Sequence, residues 1–432
     1  MYKQLFAVAG NPVLHSSSPA MFNDLFNRHG INAVYLRILA KTADEVLYTA
    51  EKIGMSGINV TAPFKEKMVE LMDEIDESAG NIGAVNTILL KNGQRLGFNT
   101  DWLGVIDSFR QSGIDVSGKK VLVAGAGGAA KAAVYAMIKE KAVVTIVNRT
   151  GKKGIELAER FGVKFVRLNQ LPELMDNFDI IISTVSGGIN IFPENSFKPE
   201  HIVFDADYHN FTVGASAQKQ GAKVIHGSLW LINQAKRSLR LFIKTDFDDL
   251  KLPEPFKMKD NIAFAGFMGS GKTSTARELA KMLDRPLFDT DEFIEQNELM
   301  TISEIFAKKG ESYFRELEDK AVVISCSLKD NIISFGGGAA LSEKNYRAIR
   351  SNCLTIWLFA NAEETLKRIG SYLLKRPLLY NCDDPLEKTD ELLKRRIPYY
   401  AECADLIINS ENMHPFEIAE IIVGEINKTF RN

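Results

Sequence analysis

Eight residues, Gly266-Phe-Met-Gly-Ser-Gly-Lys-Thr273, fit the spacing G-x-x-x-x-G-K-[ST] at every fixed position. A loop of that kind aims successive backbone N–H groups at one point, where a helix dipole also favours an anion. The chemistry is nucleotide phosphate binding. Lys272 would reach the β- and γ-phosphates, and the Thr273 hydroxyl would hold Mg2+. The expected ATP site comprises Gly266, Met268, Gly269, Ser270, Gly271, Lys272, Thr273 and Thr275. Just beyond, Pro286–Asp291 reads as a strand ending in two carboxylates that point the same way. Asp289 suits the Mg2+ shell through water. Asp291 suits a hydroxyl acceptor that orients or deprotonates a nucleophile, and a helix-capping role before Phe293 is compatible with it.

A second phosphate-type motif stands earlier. Gly125-Ala-Gly-Gly-Ala-Ala130 is the fingerprint G-x-G-x-x-[GA], which alone is weak. Here it follows an apolar run at Lys119–Val123, opens a helical pattern through Ala132, Ala133, Ala136 and Met137, and precedes a strand at Val143–Val147. That strand ends in Asn148-Arg149-Thr150, where an enzyme using NAD would place an acidic residue for the ribose hydroxyl. An arginine suits the 2′-phosphate of NADP, and Lys152 and Lys153 add charge. The cofactor expectation is NADP(H), held by Gly125, Ala126, Gly127, Gly128, Ala129, Asn148, Arg149, Thr150, Lys153, Thr184 and Gly227.

These motifs need strands, turns and helices to hold them. Gln4–Ala9 reads as a strand, and the turn Gly10–Pro19 is expected to expose Ser16, Ser17 and Ser18. Gly57–Lys65 reads as a strand ending in Asn59, Thr61 and Lys65, with a Pro63 turn and a helix starting near Lys65. Gly83–Thr87 and Gly97–Asp101 are small turns, each with an amide and a hydroxyl. The chain has 432 residues, too many for one core, with 45% apolar and 25% charged residues as in ordinary globular proteins. A formal charge of −2 gives no reason to expect nucleic acid or an anionic membrane as partner. No uninterrupted apolar span is long enough for a membrane helix, and Leu5–Gly10 is too short for a signal-peptide core. Cys326, Cys353, Cys382 and Cys403 form no C-x-x-C pair, so buried reduced thiols and a cytoplasmic setting are expected. The spacing of His15, His201, His209 and His226 matches no metal-ligand pattern.

The turns at residues 10–19, 57–65, 83–87 and 97–101, in that order, resemble the substrate domain of shikimate dehydrogenases. The resemblance implies that Ser16 and Ser18 grip a carboxylate, that Thr61, Asn86 and Asp101 bind ring hydroxyls, and that Lys65 and Asp101 form a catalytic dyad. Ketone reduction needs a proton donor on the oxygen as hydride arrives at carbon, and a lysine held by a carboxylate supplies it. Asn59, Tyr208 and Gln234 complete the expected substrate set. The chain departs from this family at Ser183-Thr184-Val185, at Tyr208-His209-Asn210 and at Trp230, all on the cofactor side.

The last third resembles shikimate kinase, through the phosphate loop, Asp289-Thr-Asp291, Phe314-Arg315, Gly336-Gly-Gly338, Leu374–Leu379 and Arg395–Tyr400. That resemblance implies shikimate contacts from Asp291, Arg315, Gly336, Gly337, Gly338 and Arg396, and a lid arginine, Arg376, that closes on ATP. The expected architecture is α/β throughout. It comprises a substrate domain at 1–104 completed by a returning helix at 236–247, a Rossmann domain at 105–235, a linker at 248–258, and a P-loop kinase domain with a parallel sheet at 259–432. The two halves would reduce 3-dehydroshikimate with NADPH and then phosphorylate shikimate with MgATP. The rival expectations are a non-catalytic, ligand-sensing first half, and a preference for quinate with NAD.

Overall fold

The computed structural model describes residues 3–370 and 383–430. The chain forms two compact units, Met1–Thr61 with Pro253–Asn432, and Ala62–Leu252. Among the described residues, no helix is long and apolar enough to cross a membrane.

In the first unit, eight parallel strands run in the order Leu287–Asp289, Ile332–Ser334, Asn261–Ala265, Cys353–Phe359, Leu406–Asn409, Ala33–Leu39, Gln4–Gly10 and Gly57–Val60. Cys353–Phe359 and Asn261–Ala265 are buried along their whole length, as near-continuous apolar runs are when helices cover both faces of a parallel sheet. The phosphate-loop strand is thus central. Its helix, Lys272–Leu283, buries Ala276, Leu279 and Ala280. The long helical stretch Ile302–Ser327 starts at a Thr301/Glu304 capping box and is broken at Gly310, whose φ of 84° leaves the helical region.

Leu406–Asn409 also joins the two ends of the chain. On one side it pairs with Cys353–Phe359, and on the other Ile407 and Ile408 pair with Ile38 and Leu39. The first three strands of the chain therefore extend the sheet that carries the phosphate loop.

In the second unit, six parallel strands run Lys223–His226, Ile202–Asp205, Ile180–Ser183, Lys120–Ala124, Val143–Val147 and Lys164–Val166. The strand order reverses between Lys120–Ala124 and Ile180–Ser183, the switch point at which a doubly wound sheet takes its ligand. Also in this unit, Thr87–Lys91 pairs antiparallel with Gln94–Phe98, whose other side pairs with Glu74–Ile75. Helix Asp101–Gln111 packs on helix Gly227–Ile243, closely enough that a Cβ on Gly104 would meet Gln234 Cβ at 2.8 Å. An Arg237–Asp107 pair, with bonds of 2.9 and 3.0 Å, fastens them.

Two local expectations are corrected. The helix foreseen near Lys65 is only a 3-10 turn at Lys67–Leu71. The Lys65 carbonyl accepts from Val85 N at 2.8 Å and so does not start a helical ladder. The strand foreseen at 286–291 stops at Asp289, and a helix begins at Thr290. Asp289, not Asp291, is its cap, accepting from the N–H groups of Asp291 and Glu292 at 3.0 and 3.2 Å.

Candidate active sites

The dinucleotide motif turns on Gly125, at φ 123°. A Cβ there would overlap Thr184 Oγ1, which itself donates to the Ala124 carbonyl at 2.7 Å. Gly127 then caps helix Gly128–Lys139, so the first N–H groups of the helix face a cavity of 840 Å³. Gly125, Ala126, Gly127, Asn148, Arg149, Thr150, Lys153 and Thr184 all line it. Gly128 and Ala129 form the first turn of the helix behind it. Gly227 stands apart from the lining, opening its own helix where a Cβ would be 2.6 Å from the carbonyls of Asp205 and Ala206. Lys131 and Arg160, not foreseen, add positive charge. Lys131 pairs with Glu66 at 3.0 Å, and Arg160 donates to the carbonyls of Gly80 and Asn81. Cations exceed carboxylates around this cavity, which fits a ligand carrying several phosphates.

Lys65 Nζ and Asp101 Oδ2 are 2.6 Å apart, with side chains 18% and 8% exposed. Asp101 opens a helix, and its N–H donates to Asn99 Oδ1 at 3.0 Å, while Asn99 Nδ2 donates to the Ala84 carbonyl. The Lys65 stem lies against the dinucleotide turn, since a Cβ on Gly128 would meet Lys65 Cδ at 3.2 Å. Asn86 Oδ1 accepts from Thr100 N at 2.8 Å, and the Thr87 and Thr100 hydroxyls both meet Ser238 Oγ at 3.0 Å. Gln234 Oε1 accepts from Thr100 Oγ1 at 3.4 Å. Asn86, Thr100 and Gln234 thereby form one hydrogen-bonded cluster next to Asp101. Asn99 is an orienting residue that the motif spacing alone does not single out.

Tyr208 lies three residues beyond its strand, its ring 4.0 Å from that of His209. Burial lowers the His209 pKa. The departure here is organised by Asp207, whose carboxylate accepts from the N–H groups of Gly187, Gly188, His209 and Asn210. Trp230 is packed in the core against Phe204.

In the first unit, Ser16 and Ser18 are 8% and 7% exposed, which corrects the expectation of an exposed serine turn. Arg37, itself buried, draws the turn in by donating to the Ser16 carbonyl at 2.7 Å. Asn59 Oδ1 accepts from Tyr35 Oη at 2.7 Å, and Thr61 follows the strand with its N–H on the Ala9 carbonyl.

Around the phosphate loop, buried Lys272 donates to the Phe267 carbonyl at 2.8 Å. Thr273 Oγ1 donates to Asp289 Oδ2 at 2.8 Å and lies 3.1 Å from Ser334 Oγ. A hydroxyl, a carboxylate and a second hydroxyl make an all-oxygen set, which suits Mg2+ completed by phosphates and water. Among the described residues, no group of three or more His, Cys, Asp or Glu could hold a metal. Gly269, Ser270, Gly271 and Met268 form the loop, and Thr275 is buried one turn into the helix. Arg368, which stands in none of the motifs, donates to the Gly269 carbonyl at 3.5 Å and to the Ser410 carbonyl at 2.5 Å.

The three glycines sit among charged groups at contact distance. A Cβ on Gly336 would be 2.5 Å from Asp291 Oδ1, and one on Gly338 would overlap Arg315 Nη1. The Gly337 carbonyl accepts from Arg396 at 3.2 Å and Tyr400 Oη at 2.7 Å. Asp291, Arg315, Arg396 and Gly336–Gly338 therefore meet at one place. Glu318, 2% exposed, holds Arg315 at 2.6 Å. Burial pushes its pKa up, against the opposing pull of Arg315 and Arg396. An Arg-x-x-Glu spacing on a helix was the available signal for it. Arg376 lies outside the described residues.

Three family models match the chain. They are the shikimate dehydrogenase substrate binding domain over residues 8–88, shikimate/quinate 5-dehydrogenase over 108–203, and shikimate kinase over 268–427. The shikimate dehydrogenase (NADP(+)) of Aquifex aeolicus is 37% identical over 246 residues, which is 55% of this chain and 91% of that protein. That of Pyrococcus furiosus is 35% identical over 255 residues, 57% of this chain and 92% of that protein. Among solved structures, the Aquifex aeolicus shikimate dehydrogenase aligns with a TM-score of 0.55 at 36% identity, covering 57% of this chain and 94% of that one. The shikimate 5-dehydrogenase of Thermus thermophilus, in complex with NADP(H) and shikimate, aligns at 0.53 and 31% identity, covering 57% and 95%.

Proposed function

We infer that this chain, which belongs to the shikimate dehydrogenase family and carries a shikimate kinase domain after it, is a bifunctional enzyme of aromatic amino-acid biosynthesis. It reduces 3-dehydroshikimate to shikimate with NADPH and phosphorylates shikimate to shikimate 3-phosphate with MgATP. The hydroxyl made by the first reaction is the one consumed by the second. The observation that carries the reading is the Lys65–Asp101 pair lying against the dinucleotide turn, in a chain that also has a complete phosphate loop.

In the dehydrogenase, we assign Ser16 and Ser18 to the substrate carboxylate, and Asn59, Thr61, Asn86, Tyr208 and Gln234 to the rest of the ring. Lys65 donates the proton to the carbonyl oxygen, and Asp101 keeps the ammonium aimed and accepts from a ring hydroxyl. NADPH, when bound, supplies the hydride. Arg149 and Lys153 hold its 2′-phosphate, and the turn Gly125–Ala129 receives the pyrophosphate.

In the kinase, Asp291 orients the shikimate hydroxyl or takes its proton, while Arg315 and Arg396 hold the carboxylate. Lys272 and the loop N–H groups bind the ATP phosphates, with Arg376 assigned to the lid. Thr273 and Asp289 would hold Mg2+, which when bound neutralises phosphate charge. We place the functional boundaries at 1–104 with 236–247, 105–235, 248–258 and 259–432. The lack of regular structure over residues 251–259 supports the linker. The buried free thiols of Cys326, Cys353 and Cys403 support a cytoplasmic setting.

The test is NADPH oxidation with 3-dehydroshikimate by wild type and by Lys65→Ala, with shikimate phosphorylation measured on both. Oxidation lost only in the variant, with phosphorylation intact, is the expected result. A wild type that phosphorylates shikimate yet oxidises no NADPH would sink the dehydrogenase assignment.

A further inference from the structure

The turn that carries Ser16 and Ser18 is held by residues from the far end of the chain. Helix Pro415–Phe430 belongs to the kinase portion, and its Glu425 is 3% exposed. One oxygen of that carboxylate accepts from two successive backbone groups, Val13 N at 2.6 Å and Leu14 N at 2.5 Å. Two adjacent N–H groups on one carboxylate oxygen form a small anion-binding concavity, and hydrogen bonds to an ionised acceptor are about twice as strong as neutral ones. A carboxylate this buried is retained only where such donors satisfy it.

The same turn is gripped a second time. Arg37 donates one amino group to the Ser16 carbonyl at 2.7 Å and the other to the Asp405 carbonyl at 3.4 Å. Its guanidinium lies 4.7 Å over the Phe256 ring. Asp405 is anchored in turn by Lys259 at 2.8 Å and by Thr355 N at 3.0 Å. Within the turn, Ser16 N donates to the Val13 carbonyl at 3.0 Å, so a shift at Val13 is passed directly to Ser16. The sheet pairing of Ile407 and Ile408 with Ile38 and Leu39 fixes the whole arrangement in register.

We propose that Glu425 is a positioning residue for the dehydrogenase, setting the Ser16–Ser18 turn so that it receives the 3-dehydroshikimate carboxylate. The kinase portion is then a structural part of the dehydrogenase site, not a passenger beside it. This rests on the dehydrogenase reading above. A carboxylate remote from the reacting carbon is held alike in ground and transition states. Misplacing its cradle therefore raises KM and leaves kcat in place.

The experiment uses the full chain with Glu425→Ala, Glu425→Asp and Glu425→Gln. Loss of two charge-assisted hydrogen bonds raises KM for 3-dehydroshikimate by about 10- to 100-fold in Glu425→Ala. Glu425→Asp withdraws the carboxylate by one methylene, keeps the charge, and raises KM in the same direction. Glu425→Gln restores most of the affinity, because its amide oxygen still accepts from Val13 and Leu14. In all three, kcat for NADPH oxidation, NADP+ affinity and shikimate phosphorylation stay at wild-type values. Should Glu425→Ala fail to fold, Glu425→Asp decides the matter. Wild-type KM in both, or a loss that falls equally on the kinase, overturns the proposal while the dehydrogenase reading stands. A wild type that oxidises no NADPH overturns both.

Discussion

On the assignments proposed above, the Lys65–Asp101 site and the Gly336–Gly338 site handle the same ring, yet they are built on opposite plans. The first is one ion pair, 2.6 Å long, backed by the amide and hydroxyl cluster of Asn86, Asn99, Thr100 and Ser238. The second spreads its charge over Asp291, Arg315, Glu318 and Arg396 around a glycine backbone. The reactions explain the contrast. Carbonyl reduction delivers one proton to one oxygen, so a single donor carries the step. The Gly336–Gly338 site is assigned a carboxylate to hold and a hydroxyl to orient, so its task is shared among Arg315, Arg396 and Asp291. The lesson is that loss of function should be concentrated in the first site and distributed in the second.

The sharpest way to break this comparison is to remove the central group of each site. Lys65→Met keeps the apolar stem but not the proton donor, and kcat for NADPH oxidation should fall by about 10²- to 10⁴-fold. Its kinase rate should be unchanged, and a fall in oxidation of less than about 10-fold would show that another residue donates the proton. Arg315→Met should instead raise KM for shikimate in the kinase assay by about 10- to 100-fold, the cost of a charge-assisted pair, with a smaller effect on kcat.

Gly338→Ala sharpens the comparison on steric grounds. The new Cβ would overlap Arg315 Nη1, so the guanidinium must leave its place. Its shikimate KM should approach that of Arg315→Met, and the double variant should add little more. Additive effects would mean that the glycine acts on something other than Arg315. Smaller again, Arg149→Ala should raise KM for NADPH by about 10-fold while leaving KM for NADH unchanged, since only the 2′-phosphate contact is lost.

The least effect expected is in pH dependence. Burial raises the Glu318 pKa, so on acidification it takes up its proton before an ordinary carboxyl does. Charge on Glu318 is thus present above that raised value and lost as pH falls through it, releasing Arg315. Shikimate KM in the kinase assay should climb a few-fold at a pH still above the ordinary Glu value of about 4.3. Glu318→Gln should remove that limb of the profile. A wild-type limb that survives the substitution would assign the titration to another group.

Which parts were legible in the sequence follows from what each motif depends on. The phosphate loop and the dinucleotide turn are local, because a strand, a glycine turn and a helix start lie within about a dozen residues. The strands of the dinucleotide motif fall at Lys120–Ala124 and Val143–Val147, within a residue of where the apolar runs put them. Arg149 was legible for the same reason, standing at the end of a strand whose position the fingerprint fixes. Asp289 and Asp291 were found as a pair but with the capping role on the wrong residue. Two residues of strand and two of a first helical turn look alike in sequence, and only the N–H groups they satisfy tell them apart.

What tertiary structure alone decided are the contacts between residues far apart in the chain. The serine turn reads as a polar, exposed loop, yet Arg37 and Glu425, 21 and 412 residues away by their hydrogen bonds, bury and hold it. Nothing local to Ser16 encodes a carboxylate near the end of the chain. Likewise, the sequence predicts a kinase and a dehydrogenase joined by a linker. That Leu406–Asn409 pairs with Ala33–Leu39, making one parallel sheet of their strands, depends on the open edge each presents and on matching apolar rows. Sequence determined the two chemistries, because each rests on short-range spacing of a few residue types. Folding decided how they are held together, because backbone edges and buried carboxylates find their partners only in three dimensions.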